Sequence, residues 1–268
     1  MFSHRTLSFL LLTIFAVEKC SAFTTVYSSL FNRIENIGAL TEEQKSKILN
    51  VNPGSMEKVV MKQDCMALNR NADKRSGIYV IQPKGHKPLV VYCVMDSPGK
   101  GWVVLQHVTK NSNISFARHW DTYKHTFGNM EDDHWLGNEY IHWITQQAHY
   151  DVRFLIDSGF EKIAIDYASF NVENENNKYK LRLGAPIGVS QTEKNLVINK
   201  NDNMMFSTSD QDNDRNNTEN CAATVGGGWW FNHCSSVIFN NQQIRWPGIC
   251  DNCQSATILI RRTFENCK

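Results

Sequence analysis

One α+β domain, cross-linked by disulfides, with a mixed or antiparallel sheet, few helices and long loops, is the fold this sequence predicts. Three observations carry that reading. Short runs rich in β-branched and aromatic residues recur between Pro/Gly turns. One segment alone has a clear helix start. Seven of the eight cysteines fall after residue 22, beyond an amino-terminal apolar stretch. The chain of 268 residues is 41% apolar and 21% charged, a composition that excludes intrinsic disorder.

From the amino terminus, His4 and Arg5 precede an apolar run from Leu7 to Val17 and then Cys20-Ser21-Ala22. A cationic head, a short apolar core and small residues at its end predict a secretory signal peptide over residues 1–22, cut after Ala22. The run is shorter than the roughly 20 residues a bilayer requires, so the chain is expected to be secreted and extracellular, not membrane-spanning. Residues 23–63 form a lead-in. Within it the spacing predicts a helix over Thr41–Leu49, with Thr41 as N-cap and Gln44 closing a capping box. Asn52-Pro53-Gly54 stops that helix. The segment has too few apolar heptad turns for a coiled-coil stalk, which favours a monomer.

The domain proper is read over residues 64–268. Gly77–Ile81, Leu89–Cys93 and Trp102–Leu105 are the first strands, Tyr150–Ile156, Lys162–Phe170 and Tyr179–Leu183 alternate as half-buried strands, and Thr257–Arg262 is the last. Between them, residues 195–220 hold eight asparagines and read as loop.

A formal charge of +1 offers no basic face for nucleic acid. No metalloprotease, nucleophile-elbow or phosphate-loop motif is present, so no enzyme is expected. In an oxidising compartment Cys65, Cys93, Cys221, Cys234, Cys250, Cys253 and Cys267 default to disulfides. Seven is odd, which leaves one thiol free, blocked or interchain. Cys250-Asp251-Asn252-Cys253 supplies one Cys-x-x-Cys pair where a structural zinc site wants two. Asp210, Asp212 and Asp214 alternate in a polar loop that a hard cation suits. It is not an EF-hand, since Arg215 and Cys221 stand where Gly and Glu belong. Asn113-Ile114-Ser115 and Asn216-Asn217-Thr218 are N-glycosylation patterns.

Several strings occur in a recognisable order: Ser76-Gly77-Ile78-Tyr79, Val91-Tyr92-Cys93-Val94-Met95, Trp120-Asp121-Thr122-Tyr123 and Trp135-Leu136-Gly137-Asn138-Glu139. Phe206-Ser207-Thr208-Ser209-Asp210-Gln211-Asp212-Asn213-Asp214 and Gly227-Gly228-Trp229-Trp230-Phe231-Asn232-His233-Cys234 follow. Together they resemble the fibrinogen C-terminal domain. The resemblance implies bridges Cys65–Cys93 and Cys221–Cys234, and tryptophans that serve packing. It implies calcium held by Asp212 and Asp214, completed by backbone carbonyls near Asn216 and Thr218. The stretch from Asp214 to Cys221 is one residue longer than usual in the family. A ligand pocket would have Asn232, His233 and Cys234 as its near wall, often with a cis peptide before the cysteine; His233 is read as a structural hydrogen-bonded histidine, with a ligand contact as the alternative. The far wall departs from the pattern: eleven residues separate Cys234 from Trp246, and residues 247–257 contain no aromatic residue. Cys250, Cys253 and Cys267 have no family counterpart, and Cys267 is expected to pair with Cys250 or Cys253 and staple this shortened region.

Functionally, the resemblance implies an extracellular ligand that engages a protein receptor through domain loops. The alternatives are a calcium-dependent lectin for acetylated or other glycans and a fibrin- or matrix-associated structural protein. The missing aromatic wall counts against both a sugar slot and a peptide-knob slot.

Overall fold

The computed structural model describes residues 31–50, 61–70, 74–97, 99–188, 197–234, 237–241 and 243–263. The expected signal peptide, the remainder of the lead-in and Cys267 lie outside these residues.

In chain order the helices are α1 (Glu42–Asn50), α2 (Cys65–Leu68), α3 (Trp120–Lys124), α4 (Asn138–Gln146) and α5 (Cys221–Val225). The capping box that starts α1 is present. Gln44 N–H donates to Thr41 Oγ1 at 3.2 Å, and Thr41 N–H donates to Gln44 Oε1 at 3.0 Å. Before it, Asn36 exchanges two hydrogen bonds with the Val90 backbone, at 2.7 and 2.9 Å, and Ile34 and Leu40 enter the core. Residues 34–40 of the lead-in are therefore packed against the sheet.

The strands are β1 (Gly77–Ile81), β2 (Leu89–Ser97), β3 (Lys100–Thr109), β4 (Phe127–Gly128), β5 (His134–Trp135), β6 (Tyr150–Asp157), β7 (Lys162–Tyr167), β8 (Asn171–Val172), β9 (Leu181–Arg182), β10 (Pro186–Ile187) and β11 (Ser255–Arg262). The main sheet runs β1-β2-β3-β11-β6-β7-β10, with β5 on β3 and β4 on β5, while β8 and β9 form a separate ribbon. Every pairing is antiparallel. The strand latest in sequence thus sits in the middle of the sheet, where Ile258 faces Phe154 on one side and Gln106 on the other.

Alternation decides which side chains fill the core. In β6, Tyr150, Val152, Phe154 and Ile156 are buried, and the intervening residues are half-exposed. Trp135, Trp229, Trp230 and Trp246 are fully buried in the core these strands help to form. Five large side chains closed from water supply much of the driving force for a protein with this much loop, at about 1.5–3 kcal/mol each; Phe206, packed against Trp135 and Trp230, is the fifth. The tryptophans are packing residues. Trp102 lies on the opposite face, between Arg153 and Arg261, whose guanidinium carbons stand 4.6 and 4.5 Å from its ring centre.

Candidate functional site: the acidic loop and its disulfide

The loop after Phe206 is laid down by short-range hydrogen bonds. Ser207 and Trp229 exchange backbone bonds at 2.9 and 3.1 Å, as do Thr208 and Gln211 at 3.0 and 3.1 Å. This turns the backbone at Asp210 and sends the Asp210 carboxylate away from its neighbours. It accepts from Thr208 Oγ1 at 2.7 Å and from the Trp120 N–H at 3.0 Å, so it anchors the start of α3. Burial pushes its carboxyl up, but hydrogen-bond donors, led by Thr208 and Trp120, help to hold it below its ordinary value. The three alternating carboxylates therefore do not act as one set.

Asp212 and Asp214 do come together. Asp212 Oδ1 accepts from the Asp214 N–H at 3.2 Å. The Asp214 oxygens take the Asn216 N–H at 2.7 Å and the Cys221 N–H at 2.9 Å, which pins the loop to the first residue of α5. Asn220 caps that helix, accepting from the Ala223 N–H at 2.9 Å. Burial raises the Asp214 carboxyl above its ordinary value, and the charge of Asp212 adds to the rise. Thr218 folds back on Asn216, its hydroxyl donating to Asn216 Oδ1 at 2.7 Å. Among the described residues, neither Asp212 nor Asp214 has an ion-pair partner. No group of three or more His, Cys, Asp or Glu residues suited to a metal ion occurs among them either. A cation here would rest on two carboxylates, with carbonyls and water supplying the rest. Two adjacent acidic groups without a counter-ion fit a hard, oxygen-seeking ion such as calcium.

The structure closes Cys65–Cys93 and Cys221–Cys234, the pairings the resemblance implies. It closes a third, Cys250–Cys253, so the expectation that Cys267 pairs with one of them is wrong. The reason is local. Trp246 and Cys250 exchange backbone hydrogen bonds at 2.8 and 3.0 Å, and the Cys253 N–H donates to the Ile244 carbonyl at 2.9 Å. This tight turn leaves the two Cα atoms 5.4 Å apart, within bridging range. The shortened region is thus a clasped turn leading straight into β11.

Of the expected near wall, Asn232 accepts through its carbonyl from the Arg215 N–H at 3.3 Å. His233 is exposed, with Nδ1 3.2 Å from Asn232 Oδ1. Its contact is thus to its immediate neighbour, not into the core. No cis peptide occurs among the described residues. The Gly-Gly-Trp-Trp turn behind the wall depends on missing side chains. A Cβ on Gly227 would run into the Asn240 carbonyl oxygen, and one on Gly228 would stand 2.8 Å from both the Phe206 and Tyr123 rings.

One feature escaped the sequence reading. At the tip of the β6–β7 hairpin, Phe160 is fully exposed. The turn is braced: Ser158 Oγ accepts from the Phe160 and Glu161 N–H groups at 3.2 and 3.1 Å, and Asp157 Oδ1 accepts from the Gly159 N–H at 2.9 Å. An aromatic residue inside Asp-Ser-Gly-Phe-Glu, where turn chemistry favours polar residues, was the available signal.

Comparison with known proteins agrees with this architecture. The protein is 41% identical over 193 residues to a fibrinogen-like protein 1-like protein of Gallus gallus, covering 70% of this chain and 67% of that one. It is 38% identical to tenascin-R of Homo sapiens, covering 67% of this chain but 13% of that much longer protein. The fibrinogen-like globe domain of human ANGPTL2 superposes with a TM-score of 0.68 at 29% identity, covering 75% of this chain and 99% of that one. Such relatives are extracellular ligand or matrix proteins. The family model for the C-terminal globular domain of fibrinogen beta and gamma chains matches residues 61–252, and the protein belongs to that family.

Proposed function

We propose that this protein is a secreted, non-enzymatic binding protein that engages an extracellular protein receptor through the loops of its fibrinogen-like domain. The observation that carries the reading is Phe160, a fully exposed aromatic side chain on a turn held by four side-chain hydrogen bonds. Isolated exposed apolar residues are common. A Phe on a braced turn differs, because little loop entropy remains to be lost when a partner buries it. The clasped turn over Cys250–Cys253 adds support. It replaces a long loop with a short one lacking aromatic residues, which gives poor walls for an acetyl slot.

In the same reading, Asp212 and Asp214 hold a structural calcium ion, with the backbone near Asn216 and Thr218 and water completing its shell. The ion neutralises the two carboxylates and braces the loop that leads to Cys221. The test is titration of labelled protein onto a panel of cells, with and without free N-acetyl sugars. Saturable binding that the sugars leave unchanged supports a protein receptor. Binding that the sugars abolish assigns the lectin function instead, and no saturable binding on any cell type refutes the proposal.

A further inference from the structure

The two N-glycosylation patterns are alike in sequence, and the fold treats them oppositely. Asn113 is exposed in the loop between β3 and α3, and its side chain has no hydrogen-bond partner among the described residues. The residues beside it are tied down. The Ser112 N–H donates to the Thr109 carbonyl at 3.1 Å, the Ile114 N–H donates to Ser112 Oγ at 3.3 Å, and Ile114 packs on the core. Ser115, the hydroxyl of the pattern, is exposed as well. Asn113 therefore projects into solvent from a fixed base.

Asn216 is turned inward. Its Nδ2 donates to Cys234 Sγ at 3.3 Å and to Glu219 Oε1 at 3.2 Å, while its own N–H is held by Asp214. The nitrogen that would carry a glycan thus faces the Cys221–Cys234 bridge. A sugar on it would take the space of that sulfur, and the side chain would have to swing out of the loop.

We infer that Asn113 carries an N-linked oligosaccharide and that Asn216 stays unmodified in the folded protein. The inference rests on the secretory reading above. The transfer forms a bond from Asn113 Nδ2 to the anomeric carbon of the oligosaccharide and breaks that carbon's bond to a polyprenyl diphosphate donor. Polyprenyl diphosphate leaves, together with one Nδ2 proton.

The test is expression of the full-length protein in secretory eukaryotic cells, followed by site-resolved mass spectrometry of medium and cell fractions before and after amidase release of glycans in heavy-oxygen water. The expected result is a glycan on Asn113, none on Asn216, and a Cys221–Cys234 bridge in the same molecules. On gels, Asn113→Gln should remove the whole glycan shift, and Asn216→Gln should leave mobility unchanged. Unmodified Asn113 overturns the inference. If that material is in the medium, the site assignment alone is at fault; if it is in the cytosol, the secretory reading falls with it. A glycan on Asn216 of the secreted, bridged protein overturns the discrimination between the two sites.

Discussion

Acidification should destabilise the fold through His134 in particular, and the size of the effect follows from its surroundings. His134 lies in β5, paired with Gly128 of β4 on one side and His107 of β3 on the other, and it is buried. Its Nδ1 stands 2.8 Å from the Asp132 carbonyl oxygen, so Nδ1 carries the proton and donates. Nε2 is buried without a hydrogen-bond partner. Protonating it would bury a charge, and burial pulls the imidazole from 6.5 down to about 4 even though the Asp132 and Val104 carbonyls favour the protonated ring. Above pH 6.5 both folded and unfolded states keep this histidine neutral. As pH falls from 6.5 toward 4 the unfolded state takes up a proton that the native state refuses, and stability drops. Below about 4 both states are protonated and the loss levels off. The span corresponds to about 3 kcal/mol. His107 is shifted the same way by its own burial, so the variant, not the absolute curve, isolates the effect. Urea unfolding of wild type and His134→Gln at intervals from pH 7.5 to 4 should show wild type losing about 3 kcal/mol more than the variant across that window. Parallel curves would show that His134 takes up its proton in the folded state without penalty, and would refute the argument.

Two further outcomes follow from the loop architecture. Gly227→Ala should cost about 4 kcal/mol in chemical denaturation, because the Asn240 backbone must move and its 2.8 Å side-chain bond to the Gly228 carbonyl is lost; a loss below 1 kcal/mol contradicts the close approach. Calcium at a hundredfold excess over its Kd should raise stability by about 2.7 kcal/mol. Asp212→Asn should abolish that rise while folding normally in chelator, and an undiminished rise in the variant would place the ion elsewhere.

Much of this was legible from local pattern. Alternation located the β6 and β7 strands, and Thr41 with Gln44 located the start of α1. Both depend on residues a few positions apart. The central place of β11 was not legible, because nothing in Ser255–Arg262 records that its partners are β3 and β6. The disulfide Cys250–Cys253 was missed because pairing depends on the path of the turn, here set by Trp246 and Ile244, which cysteine spacing does not encode. Asp210 was grouped with its neighbours because alternation places side chains on one side only while the backbone stays extended. The hydrogen bonds between Thr208 and Gln211 end that condition. Phe160 was passed over although an aromatic residue in a polar turn was a signal, because sequence does not record its full exposure.

The most direct test of the receptor-ligand account is a side-by-side titration of wild type and Phe160→Ser onto a receptor-bearing cell surface, with thermal unfolding run on the same samples. Because the Phe160 side chain is fully exposed and its backbone N–H is kept in the variant, the two proteins should melt together. The account predicts that the variant binds at least tenfold more weakly, as loss of a buried aromatic anchor worth about 2 kcal/mol requires. Equal melting with equal affinity would contradict it and remove the hairpin tip from the interface.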